Sequence, residues 1–201
     1  MSRLARRLCL LPLLVLACVL PAGGAQAYAG TENVAEAVIT TDQGRAFDFA
    51  WDIDRQRGGT IDHLNRAEAR ASCTGCEATA IAFQIVLAWD SPNPVVPRNL
   101  AVAINESCTG CVAAAHARQF VRVLDAPVRL TGHGRAELAD VRGDLRALEQ
   151  QDLPVDQLYL AVEEQEARVD AVLDNELVLR SDPGEEPELL ESDLLQTGDV
   201  G

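Results

Sequence analysis

Ser72-Cys73-Thr74-Gly75-Cys76 returns unchanged as Ser107-Cys108-Thr109-Gly110-Cys111, and how this pentapeptide is read decides the fold. Its four cysteines are the only ones beyond Cys18. Two identical five-residue stretches mark a repeated unit. Ahead of each copy stands a matching segment, Asn65-Arg66-Ala67-Glu68-Ala69 and Asn99-Leu100-Ala101-Val102-Ala103. The same Asn-x-Ala-x-Ala spacing occurs once more at Asn33-Val34-Ala35-Glu36-Ala37, so there are three units. The first has no cysteine and turns at Thr41-Asp42-Gln43-Gly44.

In every unit the first segment alternates small apolar residues with others at period two, the pattern of an extended strand packed closely on its alanine face. A second apolar segment follows each turn. Phe47, Phe49 and Trp51 alternate in the first unit, and the returns of the other two units read longer. The second, Ala78 to Trp89, alternates Thr79, Ile81, Phe83, Ile85 and Leu87 and is apolar enough to be buried on both faces. The third, Ala113 to Val121, fits a strand by alignment and a helix by its alanine content. We therefore expect a core of repeated β-hairpins. One detail opposes it: glycine third in Cys-Thr-Gly-Cys suits a type II turn, which needs a positive φ there. Such a turn matches hairpin twist poorly, which weighs against reading the returns as strands. Pro92, Pro94 and Pro97 break the chain between units two and three.

Beyond Pro127 the period changes. Leu138, Val141, Leu145 and Leu148, then Val155, Leu158, Val162, Val169 and Val172 after Pro154, predict two amphipathic helices in an antiparallel pair. Gly132-His133-Gly134 reads as the loop before them, and Gly143 weakens the first by about 1 kcal/mol relative to alanine. Their apolar stripe is free to pack on the sheet, on itself or on a partner. From Ser181 onward there are seven acids and no base, which predicts a disordered acidic tail.

Arg3, Arg6 and Arg7, an apolar run from Leu8 to Leu20 and small residues at Ala25 and Ala27 predict a secretory signal cleaved after Ala27. Val15-Leu16-Ala17-Cys18 fits a lipoprotein signal less well, because Leu16 is bulky where such signals want a small residue. Loss of the three arginines takes the net charge from -14 to -17. So acidic a chain is a poor ligand for nucleic acid or an anionic membrane surface. No stretch after residue 27 is apolar enough to span a bilayer. The expected organisation is thus a signal over 1–27, a β-rich repeat domain over 28–131, a helical arm over 132–180 and the tail over 181–201. The fold class is α+β.

Cys73, Cys76, Cys108 and Cys111 are the candidate site residues, as disulfide partners or as metal ligands. A four-residue turn holds its end Cα atoms within about 7 Å, so a bridge inside each motif is feasible. Bridges between motifs would close larger loops and stabilise more, about 4 against 2 kcal/mol each on the chain-entropy model. Two Cys-x-x-Cys turns also match the spacing of a four-thiolate zinc site. An exported chain favours disulfides, since the compartments outside the membrane are oxidising. Redox chemistry, the third option, would want each motif at a helix N-terminus with basic neighbours, and neither is visible. His63, His116 and His133 are scattered, Glu163-Glu164 lies on a solvated helix face, and no residue set suggests a hydrolase.

The Asn-x-Ala-x-Ala segment, the Ser-Cys-Thr-Gly-Cys turn and the return Ala82-Phe83-Gln84-Ile85-Val86-Leu87 resemble exported actinobacterial proteins of unknown function. They are also similar to the extracellular region of proteins described as peptide zinc metalloproteases. The resemblance covers Asn33 to Leu124 and implies an envelope or secreted setting. It carries over no peptidase activity, because the His-Glu-x-x-His motif of those enzymes has no counterpart here. The expectation is a secreted, non-enzymatic protein with a structural or binding role, an unidentified extracellular or envelope protein as partner and no cofactor. Zinc binding through the four cysteines is the alternative, and an exported thiol-disulfide oxidoreductase the next.

Overall fold

Each unit forms two strands, but the two do not pair with each other. The computed structural model describes residues 31–180; the expected export signal and acidic tail lie outside the described residues. Short strands β1 (Glu32–Ile39), β3 (Leu64–Ala71) and β5 (Arg98–Asn105) alternate with long strands β2 (Arg45–Arg57), β4 (Glu77–Trp89) and β6 (Val112–Leu124). The short strands make one parallel sheet in the order β1-β3-β5, and the long strands a second in the order β2-β4-β6. Equivalent positions stand side by side: Ala35 beside Ala67 beside Ala101, and Phe49 beside Ile81 beside His116.

The expected hairpins are therefore arches. A strand, a tight turn and a second strand face each other across a core, and backbone hydrogen bonds run to the next unit instead of across the turn. Alternation at period two is the same in both arrangements, because it reports which face is buried and not which neighbour completes the ladder. The strand assignments stand, including that of the alanine-rich third return. The first return is also as long as the others, 13 residues in each unit. Three stacked arches make a short two-sheet parallel solenoid, the one-dimensional architecture that a repeated sequence favours.

Two different layers lie on either side of the long-strand sheet. Inside, Ala35, Ala37, Ala67, Ala69 and Ala71 meet Ala78, Ala80 and Ala82, all buried. Alanine lets the sheets approach closely: Cα atoms of β1 and β4, and of β3 and β6, come within 8 Å across the core, against about 10 Å for ordinary stacked sheets. Outside, Ile81, Phe83, Ile85, Leu87 and Phe120 pack against Leu138, Val141, Leu145, Val162 and Val169. These come from helices α1 (Gly132–Ala147) and α2 (Val155–Asn175), joined by a 3-10 turn at Leu148–Gln150. The helical stripe is thus spent on the sheet. The outer face of β1-β3-β5 has no such cover among the described residues: Val34, Val38 and Leu100 are exposed there.

The helices are antiparallel, since Glu176 just after α2 takes a hydrogen bond from the Thr131 hydroxyl just before α1. Strands β7 (Val128–Leu130) and β8 (Leu177–Leu179), which the sequence did not announce, pair antiparallel and close the same end. Gly132-His133-Gly134 is the first turn of α1 and not a loop. Thr131 caps it, its side chain accepting from the Gly134 backbone N–H at 3.0 Å, a side-chain cap of the usual kind. Gly134 is needed because a Cβ there would come within 2.6 Å of the Glu176 Cβ.

Candidate functional site

The turns of the three arches stack at one end of the solenoid. Glycine's freedom is used at Gly75 (φ 64°) and Gly110 (φ 69°), and the cysteine-free turn places Gln43 (φ 58°) at the same station. Backbone bonds tie the stack: the Gln43 N–H donates to the Thr74 carbonyl and the Gly75 N–H to the Thr109 carbonyl, each at 2.9 Å. Asp42 Oδ1 accepts from the Thr74 N–H at 2.8 Å. The turn is therefore itself a ladder rung.

Each cysteine motif closes on itself, Cys73 with Cys76 and Cys108 with Cys111, with Cα separations of 6.0 and 5.9 Å. That separation lies inside the range a disulfide accepts. Stacking brings the two bridges together, with Cys76 Sγ 3.5 Å from Cys111 Sγ. Cys73, Cys76 and Cys111 form a group whose sulfurs all lie within 4.8 Å of one another, and Cys108 falls outside that group. Cys73 and Cys76 are buried at the end of the alanine layer. Both motifs sit between strands, and neither opens a helix.

A tetrahedral zinc with bonds of about 2.3 Å separates its sulfurs by about 3.8 Å. The three clustered sulfurs could take such spacing only once the Cys73–Cys76 bridge is reduced and its sulfurs move apart, and Cys108 is the residue at hand for the fourth position. When bound, zinc would hold the two turns together as a structural ion.

The alignment of units carries two polar ladders whose role the sequence reading missed. Asn33 Nδ2 donates to Asn65 Oδ1 at 2.7 Å, and Asn65 Nδ2 donates to Asn99 Oδ1 at 2.8 Å. Their amides also reach across the core to backbone carbonyls of the long strands, at Phe83, Ala82 and Ala117. On the facing sheet Gln119 donates to Gln84 at 2.6 Å, and Gln84 donates to Asp52 at 3.1 Å. The signal was present, an asparagine at the same place in three units; it served to find the repeat and was not read as a structural part.

The histidines are engaged in holding elements. Buried His63 receives the Thr31 backbone N–H at Nδ1 and meets Gln56 Oε1 at 2.9 Å through Nε2. His116 on β6 pairs with Glu166 of α2 at 2.5 Å, and His133 lies 3.2 Å from Glu176. Glu166, Asp170 and Asp174, four residues apart along one face of α2, also meet Arg118 and Arg122 of β6. Glu163 and Glu164 are exposed.

Glu68 is the most constrained carboxylate. It projects from the uncovered face of β3, buried between Arg66 and Arg70 and hydrogen-bonded to both. The Arg70 hydrogen bond, against an opposing contribution from burial, holds its carboxyl below the ordinary 4.5. No helix among the described residues is long and apolar enough to cross a membrane. Compared with family models, curated proteins and solved structures, the chain finds no match.

Proposed function

We propose that this is a non-enzymatic binding or structural protein of the cell envelope or extracellular space, in which cysteine-fastened turns keep a short solenoid rigid. The expected export signal and the resemblance to exported repeat proteins support the setting. The observation that carries the binding role is the difference between the two ends of the stack. At the first rung Asp48 Oδ2 accepts the Glu36 backbone N–H at 2.6 Å, so a carboxylate occupies the edge of β1. Inward-pointing charge of this kind stops a sheet from recruiting another strand.

The third rung has the opposite character. Val95, Val96, Leu100, Val112 and Val123, all in that rung, are exposed, and among the described residues β5 and β6 each lack a neighbour on one side. Arg118 and Arg122 are each paired with acids of α2, so neither guanidinium is left unpaired beside this edge. An open edge with paired arginines and exposed valines fits an extended, apolar-alternating segment of an envelope or extracellular protein, added as a further rung by backbone pairing.

Position-specific photo-crosslinking on exporting cells tests this. A crosslinker at Val123 or Val112 should trap one protein that a crosslinker at Leu160, exposed on α2, does not. Val112→Lys with Val123→Lys should abolish the trapping. Equal trapping at Leu160, or none at the edge, removes the reading.

Zinc is the second reading, favoured by the three-sulfur cluster. In that state no disulfide is present and the four cysteine thiolates hold one ion per chain.

A further inference from the structure

Six arginines have no carboxylate partner among the described residues: Arg55, Arg129, Arg135, Arg142, Arg146 and Arg180. Three of them line one groove. Between β2 and α1 lies an open channel of about 290 Å³ floored by Trp51, Ile53 and Leu138 and rimmed by Arg55, Arg135 and Arg142. Arg146, one helical turn beyond Arg142, extends the basic rim and lies 5.9 Å over the Phe49 ring. In a chain of net charge -14, guanidinium groups without a carboxylate partner around half-buried aromatic surface, Arg135 holding only the Leu130 carbonyl at 2.7 Å, are the chemistry of a site for an apolar anion.

The chain carries a segment of that chemistry. Glu188-Leu189-Leu190-Glu191-Ser192-Asp193-Leu194-Leu195 puts two leucine pairs among carboxylates, in a stretch, 181–201, with seven acids and no base. It is also within reach. Strand β8 ends at Leu179 beside Val128, and Leu130 on the same ribbon lines the groove. Nine residues from Arg180 to Leu189 span up to about 30 Å when extended. We propose that Glu188 to Leu195 dock in this groove, with the leucines on Trp51 and Ile53 and the carboxylates on Arg55, Arg135 and Arg142. Tethering makes the contact intramolecular, so modest intrinsic affinity suffices to keep it occupied.

The test uses the full chain with Trp89→Phe, which leaves Trp51 as the sole tryptophan. Acrylamide quenching of Trp51 should rise when Leu189, Leu190, Leu194 and Leu195 are all changed to serine. It should rise as well with Arg135→Gln plus Arg142→Gln, and in 1 M salt, where charges are screened beyond about 3 Å. Because both variant sets break one contact, combining them should add nothing further. Unchanged quenching in the leucine variant overturns the proposal, and so do leucine and arginine effects that simply add. Arginine effects without leucine effects would mean that the groove holds some other occupant.

Discussion

Toward the short-strand sheet, β4 presents Ala78, Ala80 and Ala82; toward the helices it presents Ile81, Phe83, Ile85 and Leu87. The backbone is the same, and the two faces solve different packing problems. On the inner face, close approach of the two sheets at Ala78, Ala80 and Ala82 leaves space for alanine, and further along the same face Asn65 and Gln84 tie one rung to the next through polar ladders. On the outer face, a sheet and two helices leave a wide gap that aromatic and branched side chains fill. Trp51, Phe83 and Phe120 run across the three strands there with ring centroids 6.0 and 6.1 Å apart. The inner face therefore specifies the stack, and the outer face supplies most of its hydrophobic burial.

Opposite substitutions should thus hurt opposite faces. Phe83→Ala leaves a cavity between β4 and the helices, and its stability in urea should fall by about 3–5 kcal/mol. Across the strand, Ala82→Leu inserts bulk where no space exists and should cost about 1–3 kcal/mol. If Ala82→Leu proves neutral, the two sheets are not closely packed and the comparison breaks.

The ladder sharpens the contrast within the inner face. Asn65→Ala strands a buried donor on Asn33 and leaves Asn99 without its donor, for about 1–3 kcal/mol by thermal or chemical denaturation. Asn99→Ala, at the exposed end of the same ladder, should cost less. Equal losses would show that the asparagines act one by one and not as a chain.

The smallest expected effect concerns the uncovered sheet. Glu68 has a folded pKa held below its ordinary 4.5, so its contribution to stability is present above that value and is lost as pH falls through the lower, folded one. Glu68→Gln should flatten the acid limb of a stability-against-pH curve below 4.5 and leave the slope near neutral pH unchanged.

Much of this was legible in the sequence. The three units, the strand at each alternating segment, both helices and the cysteine turns could be read from spacing, because burial imposes its period directly on residue type. Strand pairing could not. Ala67 has the same buried face whether its backbone bonds run to its own return strand or to Ala35 and Ala101 on either side. The type II turn was a physical hint against a hairpin, and an arch resolves it while keeping both strands. The small ribbon of β7 and β8 escaped because three-residue strands are too short to show a period. At the candidate site, the cysteines were evident, but their stacking depends on the parallel register. The arginine groove was hidden for a related reason: Arg55 on β2 and Arg142 on α1 are far apart in the chain and share no motif.

We propose that the four cysteines fasten stacked turns and do no chemistry of their own. Intact mass of the protein purified under non-reducing conditions, with thiol counting and metal analysis on the same sample, tests it most directly. The account predicts two disulfides within each mature chain, no reactive thiol and no bound metal, with protease fragments that keep Cys73 joined to Cys76 and Cys108 joined to Cys111. Four free thiols with one zinc per chain would contradict it and make the turn stack a metal site.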